Sequence, residues 1–205
     1  MLAVAYIGKP VILWDLEADS YYGKTGKKLP SGESSTHPVT ALVFNPNQDV
    51  EILAASYLDG HLVILDPFDD QEIVSTRAQC PTIAASPNGR FLADVPGGGV
   101  LHIYEFDILK LLYRVHADNS YIRQISFSHN SLRLADLRGW QCYVWEPTAL
   151  WNGTRRDGGS EGSEDSSSSV VSVVVAGVRA KVTAIAVLPT GVVALVGKYD
   201  GSVSL

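Results

Sequence analysis

Four stretches of this 205-residue chain carry side chains in patterns that enzymes use. Gly158-Gly159-Ser160-Glu161-Gly162 fits G-x-S-x-G, the elbow that holds a nucleophilic serine on a strained turn between a strand and a helix. The sequence predicts neither flanking element, because Asn-Gly-Thr-Arg-Arg-Asp precedes the motif and a run of serines follows it. The base is missing too: His37, His61, His102, His116 and His129 all precede Ser160, so the order serine, acid, histidine cannot occur. Gly23-Lys24-Thr25 matches the close of a phosphate-binding loop, yet Ala18 stands where the first glycine belongs and no helix follows to receive the anion. Gly97-Gly98-Gly99 runs directly into a strand pattern and reads as a hairpin loop. The histidines lack i, i+4 spacing and the two cysteines, Cys80 and Cys142, lack a CxxC companion, so no metal site and no cofactor is expected. The cysteines read as buried or free thiols of a reducing compartment. The expectation is a protein without catalysis.

Composition narrows the partners. A net charge of −6 and a pI near 5.3, with scattered lysines and arginines, disfavour nucleic acid and anionic membranes, which require clustered basic residues. Protein partners are the expectation. The opening MLAVAYIGKPVIL has no basic flank and is cut by Lys9-Pro10 and Asp15, so it is neither a signal peptide nor a spanning helix. A cytoplasmic protein is expected.

The elements that would position these residues are strands. Between Thr36 and Arg77 lie four apolar runs of strand length, Val39 to Phe44, Ile52 to Tyr57, His61 to Leu65 and Glu72 to Thr76. Asn45-Pro46-Asn47, Asp59-Gly60 and Asp66-Pro67 separate them, and Asp59-Gly60 predicts a tight hairpin with positive φ at both turn positions. The unit recurs. Third-strand segments Leu13-Trp14-Asp15, Ile64-Leu65-Asp66, Ile103-Tyr104-Glu105 and Val144-Trp145-Glu146 align with steps of 51, 39 and 41 residues between positions 14, 65, 104 and 145. Asn45-Pro46, Ser86-Pro87-Asn88-Gly89, Ser128-His129-Asn130 and Leu188-Pro189 each fall between first and second strands. Repeats of about 40 to 45 residues, all strand, with a Trp-Asp dipeptide closing the third strand, mark propeller blades.

Ser86-Pro87-Asn88-Gly89-Arg90-Phe91-Leu92-Ala93 and Tyr57 to Asp66 resemble the turn, second strand and second hairpin of a WD40 repeat. Ile103 to Phe106, Ser131 to Gly139 and Gln141 to Pro147 resemble, more narrowly, the WD40 part of fungal NACHT-domain (STAND-type) signalling proteins. The likeness implies an all-β, WD40-like β-propeller fragment of about five partial or complete four-stranded blades. It also implies a sensor or scaffold module joined in the full-length chain to further blades and an upstream nucleotide-binding domain. Two other readings stay open: a general assembly scaffold, and a propeller hydrolase, which would need converging carboxylates or histidines. The family's hydrogen-bonded set of His, Ser or Thr, Asp and Trp is complete in no blade. The second blade keeps Asp59 and His37 but has Ala55 and Leu65 at the other two places, so apolar packing should replace that set.

The blades are expected at about 1–35, 36–77, 78–116, 117–176 and 177–205. The first opens inside a second strand at Leu2 to Tyr6 and the last stops at Leu205 before its Trp, so both outer edges should be open and prone to pairing with other chains. Residues 152–169 hold no large apolar side chain and read as a disordered insertion, after which Val170 to Ala176 supplies a fourth strand. Turns between second and third strands share one face of such a disc with the loops entering first strands. That predicts a protein-binding rim of Tyr57, Arg138, Trp140, Lys198 and Tyr199 from the former and Arg77, His116 and Tyr121 from the latter.

Overall fold

The computed structural model describes residues 1–116, 121–138, 141–145, 170–171, 182–187 and 194–204. Every regular element among them is a strand, and the chain divides into two compact units, Met1–Asn119 and Ser120–Leu205. Among the described residues no helix is long and apolar enough to cross a membrane.

In the first unit, β1 (Leu2–Val4), β2 (Val11–Asp15) and β3 (Ser20–Thr25) form a three-stranded antiparallel sheet. Two four-stranded meanders follow: β4 (Val39–Phe44), β5 (Leu53–Tyr57), β6 (His61–Asp66) and β7 (Gln71–Arg77), then β8 (Ile83–Ala85), β9 (Phe91–Gly97), β10 (Val100–Glu105) and β11 (Lys110–His116). The second unit holds a four-stranded sheet of β12 (Ile122–Phe127), β13 (Leu134–Arg138), β14 (Gln141–Trp145) and β15 (Val170–Val171). Its other sheet is three-stranded, with β16 (Val182–Val187), β17 (Ala194–Lys198) and β18 (Val203–Ser204).

The repeat extends to the irregularities of pairing. Opposite Leu13/Trp14, Ile64/Leu65 and Ile103/Tyr104 the fourth strand carries one extra residue, Tyr22, Ile73 and Leu112 respectively. These bulges recur with the spacings of the third-strand anchors, and bulges bend a strand and increase its twist at a fixed place. First strands bulge likewise at Thr40, Arg123 and Thr183.

Alternation along the inner strands builds the core. Leu53, Ala55 and Tyr57 of β5, with Val63 and Leu65 of β6, pack with Val11 and Leu13 of β2. The intervening Ala54, Leu62 and Ile64 pack the other way, with Leu92 and Tyr104 of the next sheet. Both faces of the β4–β7 sheet are therefore covered, which explains an inner strand with no polar face. The outer β7 instead alternates between exposed and half-buried positions.

Two local expectations change. In the β5–β6 hairpin Gly60 N–H donates to Tyr57 C=O at 2.9 Å and only Gly60 has positive φ (88°), so Asp59 is not left-handed. A Cβ on Gly60 would also come within 2.8 Å of Gln79 Cγ. The first strand ends at Val4, because the chain turns at Tyr6–Lys9, where Lys9 N–H reaches Tyr6 C=O at 3.3 Å. The insertion 152–169, with its G-x-S-x-G sequence, and residues 172–176 lie outside the described residues.

Candidate interaction surface

In the β4–β7 and β8–β11 sheets the hairpin joining the second to the third strand ends beside the last residue of the fourth strand. Antiparallel register sets this: Arg77 pairs with His61, the first residue of β6, and His116 pairs with Val100, the first residue of β10. Both Arg77 and His116 are exposed. In the second unit Ile122 pairs with Arg138, so Tyr121, 63% exposed, stands beside the end of β13. Tyr199, in the turn after β17, is 79% exposed. Lys198 closes β17 opposite Val182. Trp140 lies outside the described residues.

Two of the expected contact residues are buried. Tyr57 is 2% exposed because it follows Leu53 and Ala55 at period two and so faces the core. Its hydroxyl accepts from Lys27 N–H at 2.8 Å, and burial pushes the phenol up to about 12. Arg138, 8% exposed, follows Leu134 and Asp136 in the same phase. Its Nε and Nη2 donate to the two oxygens of Asp136 at 2.7 and 2.6 Å, and its guanidinium lies 4.6 Å over Tyr143 and 5.1 Å from Trp145. Trp145 Nε1–H adds a third donor to Asp136 at 2.5 Å. These contacts remove Arg138 and Tyr57 from the accessible rim.

Around the β5–β6 turn the charges are arranged differently. Lys27 Nζ reaches Asp59 Oδ2 at 2.6 Å and His61 Nδ1 at 3.0 Å, while His61 N–H donates to Asp59 Oδ1 at 3.2 Å. Burial pushes the Asp59 carboxyl up, but these donors outweigh it and hold the group at about 2. Among the described residues the Arg77 side chain makes no ion pair, hydrogen bond or ring contact. It lines a cavity of about 300 Å³ with Asp59, Gly60, Gln79, Pro96 and His102.

Behind that cavity runs a polar relay. Arg114 Nε–H donates to His102 Nε2 at 3.1 Å, and an arginine can only donate, so the neutral ring carries its proton on Nδ1. That nitrogen lies 3.1 Å from the Tyr104 hydroxyl, which donates to Asp94 Oδ2 at 3.2 Å. Asp94 is fully buried; its Oδ1 sits 3.1 Å from His102 Nδ1 without the alignment of a hydrogen bond. Cys80 lies next to Asp94 and is hydrogen-bonded through its carbonyl to Ser56 and Thr40.

Register shows that Asp94 and Asp136 occupy one place in the repeat. Each lies two residues beyond the second-strand partner of the third-strand anchor, since Leu92 pairs with Tyr104 and Leu134 with Trp145. The same places in the β4–β7 sheet are Ala55 and Leu65, both fully buried. Apolar packing thus replaces the polar set there, as expected, whereas the next two sheets keep a buried carboxylate held by the anchor aromatic. The sequence reading missed Asp94 and Asp136, although each follows Ala-rich apolar residues at matching positions of the period.

No protein-family model matches the sequence, and neither does any curated protein. Solved structures do match. The β-propeller domain of Cps50 (Swd1) from Myceliophteria thermophila superposes with a TM-score of 0.74 at 15% identity, over 98% of this chain and 65% of that one. The WD40 repeats of RRP9 and the U3-55K structure each superpose with a TM-score of 0.62 at 16% identity over 83% of this chain. The fold is that of a WD40 propeller. This chain spans about half the length of the RRP9 and U3-55K chains, 48% and 49%. In propeller terms the five described sheets are blades; Tyr199 lies in a hairpin between second and third blade strands, Arg77 and His116 end fourth strands, and Tyr121 precedes a first strand.

Proposed function

We propose that this chain is a non-catalytic protein-interaction module whose contacts lie at the blade ends where second strands turn into third strands. The observation that carries the proposal is the exposure of Arg77, Tyr121 and Tyr199, residue types that dominate protein contacts, together with His116, at strand ends and turns fixed by a buried scaffold. Lys198 and Trp140 belong to the same proposed rim by sequence position. The likeness of 103–106, 131–139 and 141–147 to fungal NACHT-type proteins supports a finer reading, in which this surface senses or scaffolds a protein ligand and regulates an upstream nucleotide-binding domain in a cytoplasmic protein.

A photocrosslinking amino acid placed at Tyr121 or Tyr199 tests the face, with Leu16 and Ile108, exposed at the opposite strand ends, as controls. Partner adducts should form from the first pair. Equal or stronger adducts from the controls would put the contact on the wrong end of the blades.

A further inference from the structure

We propose that the cavity between the β5–β6 turn and β10 is a subsite for a carboxylate side chain of an extended partner peptide, with Arg77 as its anchor; this rests on the interaction reading above. Three observations define the ligand. First, of the ionisable groups on its wall, Arg77 alone is free of described partners. Asp59 is neutralised by Lys27 at 2.6 Å and its Oδ1 accepts from the backbone of His61, while both ring nitrogens of His102 face Arg114 and the Tyr104–Asp94 pair. The net demand of the cavity is for one negative charge.

Second, the shape suits a side chain. At about 300 Å³ the space stands at the lower end of ligand sites, and Ala78 and Pro96 offer apolar wall to a methylene stem. Third, a single guanidinium fork matches the planar two-oxygen edge of a carboxylate. A phosphate dianion would need a second free cation, which no other group on this wall supplies. Gln79, exposed and held at φ 47°, is placed to donate to the peptide backbone beside the anchored side chain.

The test uses the whole chain, immobilised, and pooled decapeptide libraries with blocked ends that differ only in a fixed central Glu, Gln, Lys or phosphoserine. The native chain should retain the Glu pool about tenfold over the Gln pool, the size of one charge-assisted bidentate contact. Arg77→Ala should equalise the two pools, Arg77→Lys should restore part of the preference, and Arg77→Glu should favour the Lys pool. Melting temperature should not move in any variant, because Arg77 is exposed and unpaired. Equal retention of Glu and Gln by the native chain, an Arg77→Ala variant that keeps the preference, or no retention of any pool would overturn the subsite. Stronger retention of phosphoserine than Glu would overturn the carboxylate assignment. The wider face is judged separately, by the crosslinks from Tyr121 and Tyr199.

Discussion

The β8–β11 and β12–β15 blades bury the same carboxylate and hold it in two ways. Asp136 is clamped within its own blade by Arg138 and Trp145, a charge-neutral cluster with all donors pointing at both oxygens. Asp94 receives one hydroxyl from Tyr104 and reaches its cation, Arg114, only through His102. The difference teaches where a charge is structural and where it is free to act. An arginine in phase with a buried aspartate becomes part of the core, whereas Arg77, at the end of a strand with no such partner, keeps its guanidinium for something else. The β4–β7 blade shows the third option, with Ala55 and Leu65 in place of carboxylate and donor.

The sharpest way to break this comparison is to remove each cation-side partner. Arg138→Ala leaves an uncompensated buried charge and should cost about 3–5 kcal/mol in urea unfolding. His102→Ala leaves the Tyr104–Asp94 bond in place and should cost about 1–3 kcal/mol. Equal losses would mean that the two carboxylates are held alike. The turns before the two second strands give a smaller contrast. Gly89 (φ 71°) and Ser131 (φ 58°) occupy equivalent positions, each donating its N–H to a serine carbonyl at 2.8 Å. A Cβ on Gly89 would come 2.2 Å from Asn45 Oδ1, so Gly89→Ser should cost about 1–3 kcal/mol although serine serves in the other blade. An unchanged midpoint would show that the Asn45 contact yields freely.

Each buried carboxylate also faces a thiol, and pH sharpens the contrast. Burial and then Asp94 push Cys80 up to about 12; burial and then Asp136 push Cys142 up to about 11. A thiol raised in the folded state adds stability that is complete below its ordinary value of 9.0 and is lost as pH rises through the folded value. Unfolding midpoints should therefore fall above pH 9, with the Cys142 share levelling off near 11 and the Cys80 share near 12. Cys142→Ala should flatten the slope between 9 and 11; an unaltered slope would place the titration elsewhere. The smallest effect belongs to residues 152–169. Replacing them by a short Gly-Ser turn should change stability by less than about 1 kcal/mol, since loop-closure entropy grows slowly with length, and native trypsin cleavage should begin at Arg155-Arg156. Protection there would contradict a solvated insertion.

Strand positions were legible because turn residues and period-two runs are local signals: Val39–Phe44 appears as expected, and Ile52 to Tyr57, His61 to Leu65 and Glu72 to Thr76 shift by single residues. The third-strand anchors were legible for the same reason. Burial at strand ends was not read correctly, although phase alone places Tyr57 with Leu53 and Arg138 with Asp136. Their position next to a turn suggested exposure; the packing of adjacent sheets over both faces of β5 overrode it for Tyr57, and the Asp136 carboxylate overrode it for Arg138. The Arg114–His102 and Tyr104–Asp94 links of the relay span 12 and 10 residues and the Lys27 contacts with Asp59 and His61 span 32 and 34, which no local pattern encodes.

The division between structural and interacting charge meets its most direct test in the two arginines. The melting temperature and the Glu-pool retention of Arg77→Ala and Arg138→Ala should be measured side by side on the whole chain. Arg77→Ala should lose the Glu-over-Gln preference with an unchanged melting temperature, and Arg138→Ala should melt at lower temperature while its folded fraction keeps that preference. The reverse pattern, with Arg77→Ala destabilised and binding unaltered, would contradict the assignment of Arg77 to a contact surface and of Arg138 to the core.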